Sequence, residues 1–271
     1  MWGNVRAELL KQTRRPANWL LLAVADLLTL TFAYVVPYAG GTSGPSDGGR
    51  GPDATLPAQF VGNAIGGMPI SVGALALTFG VLVAGSEYGW QTWKTVLTQR
   101  PSRVMVHGAK VATVAAGVTV LVLTLLGSSA VASAVVTGLE GRPMAWPGLS
   151  DVLLGFGVGW LICMMWGSLG LALAIGLRGV ALPIGLGLVW LLAVQNLISA
   201  IAAPLLDWVA ELQKALPGPN AGSLVASLGA SENAPGVARL VGSGQAAVVV
   251  AAYLLAFTVV SARLLHRQDI E

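Results

Sequence analysis

Charge is what this chain has least of. Lys, Arg, Asp and Glu together make up 10% of its 271 residues, against 55% hydrophobic residues. A soluble domain carries about a quarter charged residues, so an ordinary water-solvated globule is excluded. The single cysteine, Cys163, allows no internal disulfide and no Cys-based metal cluster. Only two histidines occur, His107 and His266, both near the expected edges of apolar segments. No Gly-x-x-x-x-Gly-Lys-Ser/Thr segment is present, nor even a Gly-Lys dipeptide. The amide cradle and lysine that hold nucleotide phosphates are therefore missing, and the chain binds no ATP by that route. A net charge of +3 would suit a nucleic-acid ligand. The basic residues, however, sit where membrane topology puts them, and nucleic acid is not an expected partner.

What is present is a series of apolar runs of the length that crosses a bilayer. They predict an all-α, polytopic membrane protein forming one transmembrane domain over 1–271. Six spans are expected, at about 18–36, 64–86, 104–126, 151–177, 180–199 and 243–262. Residues 1–16 read as a basic interfacial helix ended by Pro16, with Trp2, Val5, Leu9 and Gln12 on one stripe and its charges turned to water. Residues 127–149 read as a loop. Residues 204–216 read as an external interfacial helix stopped by Pro217-Gly218-Pro219, its apolar face made by Leu205, Trp208, Val209, Leu212 and Leu216.

Six spans put both termini on one side. If that side is cytoplasmic, eleven of the 15 Lys and Arg residues lie inside, and only Arg50, Arg142, Lys214 and Arg239 lie outside. The positive-inside rule then predicts a multi-pass protein of the inner (plasma) membrane with cytoplasmic termini.

The most informative stretch is hydrophilic: Glu87-Tyr-Gly-Trp-Gln-Thr-Trp-Lys-Thr-Val-Leu-Thr-Gln-Arg-Pro-Ser-Arg103. A chain reversal needs only a few residues. This segment is long enough for a helix of about three turns along the membrane surface, and it offers aromatics and hydroxyls to a partner.

Taken with the basic N-terminal helix, Glu87-x-x-x-x-Thr92, Leu97-Thr-Gln-Arg-Pro-Ser-Arg103 and Lys110, the layout resembles the six-span permease subunits of type-2 ATP-binding-cassette exporters. The likeness covers nearly the whole chain, although Gln91 stands where the family often has Gly and Gln195-Asn196 where it often has Glu-Asn. The resemblance implies that residues 87–103 form a coupling loop docking on a separate ATPase subunit, with Glu87, Tyr88, Gln91, Thr92, Thr95, Arg100 and Arg103 as the coupling residues. It also implies a second permease subunit as partner in a homo- or heterodimer. ATP and Mg would be held by the ATPase, and this chain would be neither a catalyst nor a cofactor binder. Glu87 either caps the coupling helix or pairs with Arg103 or Lys110.

Asp26 falls in the middle of the first span, where a carboxylate costs about 2.5–3.5 kcal/mol on insertion scales. It either faces a substrate path or pairs with Lys110 or a hydroxyl such as Thr29, Thr31 or Thr113. Gln195 and Asn196 carry the same two readings, with an interhelical hydrogen bond the commoner use. Two other function classes stay open. A self-sufficient channel or carrier would need paired intramembrane charges or repeats. An intramembrane hydrolase would need a histidine at the depth of Ser168.

Overall fold

A computed structural model describes residues 2–40, 51–89, 102–202 and 205–267. These residues are helical throughout their ordered elements, with no strand among them. Helix α1 is Trp2–Thr13. After a short turn α2 runs Pro16–Gly40, widening into a π-helical stretch at Thr31–Val35. The short helix α3 (Phe60–Ile65) leads into α4 (Ser71–Gly89). Then come α5 (Arg103–Leu139), α6 (Leu149–Leu177) and α7 (Ala181–Leu197). The chain ends in α8 (Asp207–Gln213), α9 (Pro217–Ser227) and α10 (Ser243–Arg267).

Five of these, α2, α4, α5, α6 and α10, are long and apolar enough to cross a membrane. Helix α7 is apolar but shorter, and π-helical backbone occupies Val189–Val194 within it and Ile198–Ala202 beyond it.

The centre of the bundle is the pair α4 and α6, the most enclosed of the five. Their backbones touch because glycines meet: a side chain on Gly80 would strike the Gly167 carbonyl, and one on Gly170 would strike that of Leu77. This is the small-residue packing that lets helices associate without a hydrophobic drive between them. Gly157 and Gly185, on α6 and α7, have nothing within 4 Å of where a side chain would begin among the described residues. Helices α2 and α10 lie at the periphery with most of their surface exposed.

Several boundaries depart from the sequence reading. The expected second span is broken: Gly66-Gly67 and Pro69 interrupt the helix between α3 and α4, because Pro69 can donate no backbone bond. Helix α5 runs on to Leu139, through residues read as a loop. That stretch is rich in Ser and Thr, some bonding within the helix and some to α2: Thr137 donates to the Ser133 carbonyl at 2.8 Å, and Ser128 to Asp26 at 2.7 Å. Pro217 does not stop a helix but opens one. It occupies the first turn of α9, where a missing N–H costs nothing. Helix α9 is buried along most of its length and packs on α10. The apolar residues Leu205, Trp208 and Leu212 around α8 stand exposed, while Val209 and Gln213 are the ones buried.

Candidate functional site

The expected coupling residues Gln91, Thr92, Thr95 and Arg100 lie outside the described residues, as does most of the segment they belong to. The helices that lead into and out of it are described, and they converge on an ionic cluster.

Glu87, the first residue of that segment, is on the last turn of α4 and only 2% exposed. Lys110, two turns into α5, is 1% exposed. Lys110 Nζ donates to Glu87 Oε1 at 2.9 Å and to Glu8 Oε2 at 2.8 Å. Lys11 Nζ donates to the same two carboxylates, to Glu87 Oε1 at 2.9 Å and to Glu8 Oε1 at 3.0 Å. The four groups form a closed ring of alternating charge, Glu8–Lys11–Glu87–Lys110, contributed by α1, α4 and α5.

Arg15 adds a second tie, donating to Ser86 Oγ at 2.8 Å and to the Leu82 carbonyl at 3.1 Å. Burial works against the charge on Lys11, but its hydrogen bond to Glu87 and the nearby charge of Glu8 outweigh that effect and hold its pKa above the usual 10.5.

The ring corrects the reading of α1. Glu8 does not face water; it is 7% exposed and turned inward with Gln12. Placing charges in solvent is the cheaper arrangement for a lone surface helix. Here two lysines supply opposite charge, which makes burial of two carboxylates tolerable.

Arg103, at the first turn of α5, donates to the His266 carbonyl at 2.7 Å. One turn on, His107 Nε2 lies 2.8 Å from Ser261 Oγ. Both contacts fasten α5 to α10 at the same end of the bundle. Tyr88 is half-buried against the core.

The intramembrane polar residues have other neighbours than expected. Ser128 donates to Asp26 Oδ1 at 2.7 Å, so the carboxylate's described partner is a serine of α5 rather than Lys110 or one of the named threonines. Thr29 is buried, and its hydroxyl has no hydrogen-bond partner among the described residues. Tyr34, one turn further along α2, has its hydroxyl 3.1 Å from Ser133. Gln195 accepts from the Gly218 amide at 2.8 Å, tying α7 to α9. Asn196 donates instead to Leu192 of its own helix at 2.8 Å. Both line a 260 Å³ cavity between α7 and α9. That cavity is at the end of the bundle away from the ring, because Gly179, where α7 begins, packs against Gly85 beside Glu87.

Among the described residues no group of three or more His, Cys, Asp or Glu side chains is placed to hold a metal ion. What the ring can do is mechanical: it joins three helices so that displacement of one moves the others. Glu8 and Lys11 were not expected in it, although their spacing from each other already made a helical pair. No family model matches this chain, and no curated protein sequence matches it either.

Proposed function

We propose that this chain is the membrane-spanning subunit of an ATP-driven exporter, acting as a six-span permease with a second permease subunit and driven by a separate ATPase. In this reading residues 88–98 are the handle that the ATPase grips on the cytoplasmic side of the plasma membrane, and both termini lie on that side. α1 lies along the cytoplasmic surface, α7 and its π-helical continuation complete the sixth span, and α8 lies outside.

One observation carries the reading. The chain closes a four-membered ionic ring, buried except at half-exposed Lys11, where α4 runs into the 90–101 segment and α5 leaves it. A loop that only reversed the chain would need no such brace. A segment that receives a push needs its two flanking helices, and the helix beneath them, to respond as one body. The absence of a phosphate-binding loop supports an external motor.

The test is the coupling ratio in a reconstituted complex. Glu87→Gln should insert and assemble while transport per ATP hydrolysed falls several-fold. An unchanged ratio in a folded Glu87→Gln complex argues against coupling through the ring.

A further inference from the structure

Directly above the ring, one turn further along α5 from Lys110, α1, α2, α4 and α5 leave a 180 Å³ cavity. Its walls are apolar, chiefly Leu22, Leu75, Phe79, Val118 and Leu121, and no charged side chain lines it among the described residues. Two amides close one end. Asn18 Nδ2 donates to Gln12 Oε1 at 2.9 Å, which fixes both groups side by side. Their other ends, Gln12 Nε2 and Asn18 Oδ1, are buried without a hydrogen-bond partner among the described residues, and Gln12 is only 6% exposed. Polar atoms buried in this way are nearly always satisfied, by protein, ligand or water, so the free ends of Gln12 and Asn18 offer one donor and one acceptor to whatever enters the apolar cavity. It needs a neutral group that donates and accepts at one atom, which is a hydroxyl, joined to an apolar body.

The cavity's edge says where that ligand comes from. Trp19 and Val120 both line it and are 57% and 50% exposed, on the outward surfaces of α2 and α5, helices apolar enough to cross a membrane. The opening is therefore lateral, into the bilayer. The volume suits a head and the first carbons of a chain, since an engineered apolar cavity of about 150 Å³ accommodates benzene. The remainder of the chain would lie along the exposed helix faces.

We infer that this cavity is a binding site for a neutral, hydroxyl-bearing bilayer lipid of the diacylglycerol class, its hydroxyl accepting from Gln12 and donating to Asn18. Because Gln12 also accepts from Arg15 at 3.5 Å, the lipid would sit against the brace itself. The inference rests on the chain lying in a membrane. It is independent of any ATPase, so the two can fail separately.

The test uses the full-length protein in phosphatidylcholine nanodiscs with a dioleoylglycerol probe carrying a diazirine near the top of one acyl chain. Photolabelling should fall on peptides of α1, α2, α4 or α5 that line the cavity. On the wild-type protein, unlabelled dioleoylglycerol should compete about five- to tenfold better than its O-methyl ether, which cannot donate to Asn18. Ala116→Phe, which fills the cavity from α5, should abolish labelling, and Asn18→Leu should reduce it by a similar five- to tenfold. Labelling elsewhere, no labelling, or equal competition by the ether overturns the proposal. The ether comparison needs no variant to fold.

Discussion

Lys110 Nζ and Glu87 Oε1 stand 2.9 Å apart with both side chains almost wholly buried. The first closes a ring begun on α1, and the second opens the hydrophilic segment. A buried charge survives only while its partners do, so this contact makes the relative position of α4 and α5 conditional on α1.

Removing one charge should therefore cost far more than removing a balanced pair. Lys110→Met leaves Glu8 and Glu87 facing each other with only Lys11 and the nearby Arg15 to offset them, and should destabilise by about 3–5 kcal/mol. The double variant Glu87→Leu/Lys110→Leu leaves the Glu8–Lys11 pair intact and should recover a large part of that loss. Thermal unfolding of the purified single and double variants measures the coupling, expected at about 1–3 kcal/mol.

The ring should also leave a mark on the pH profile. The folded-state pKa of Lys11 is raised above 10.5, so its contribution is fully present below that pH and is lost as pH rises through the folded value. The difference in Tm between wild type and Lys11→Met should stay constant from about pH 7 to 10 and shrink above about 10.5. A difference that vanishes near neutral pH would contradict the assignment.

Asp26 and Ser128 provide a local test within the membrane. Ser128→Ala removes the serine's hydrogen bond to the carboxylate and should cost about 1 kcal/mol, as interhelical hydrogen bonds in membranes do. Asp26→Asn keeps an acceptor for the Ser128 hydroxyl and should cost less. Equal losses in the two variants would mean that the charge, rather than the hydrogen bond, is what matters.

The central crossing should discriminate sharply between glycines. Gly80→Ala drives a methyl group into the Gly167 carbonyl and should destabilise by about 1–3 kcal/mol. Gly157→Ala meets nothing within 4 Å and should be neutral or stabilising, since alanine favours a helix over glycine. Differential scanning fluorimetry of the two variants suffices.

The long apolar helices were legible from composition, because helix is the form in which a single segment satisfies its own backbone in lipid. The polar contacts were less so. Ending the third span near residue 126 hid Ser128 and Ser133, and with them the partners of Asp26 and Tyr34. Small hydroxyl residues resemble a turn until their hydroxyls are seen to bond to a neighbouring helix. Glu8 was misjudged for a different reason: the stripe on α1 was sought in apolar residues, while its buried face is polar. Pro217 was taken as a stop because a proline looks alike at the end and at the start of a helix. Only the buried run from Pro219 to Ala226 distinguishes the two. Lys110 and Glu87 could be singled out in advance because charge so close to an apolar span demands compensation.

The central claim is that the membrane bundle is moved by a separate nucleotide-driven motor acting on the segment after Glu87. The most direct measurement is purification of the full-length chain from its native membranes in mild detergent, followed by assay of ATP hydrolysis and transport after reconstitution. The account predicts that a chain with a phosphate-binding loop co-purifies, and that ATP-dependent transport is lost when Trp93 and Thr95 are both replaced by Ala while co-reconstituted lipid and protein levels are unchanged. Transport by the purified chain alone, without any nucleotide-binding partner, would contradict it.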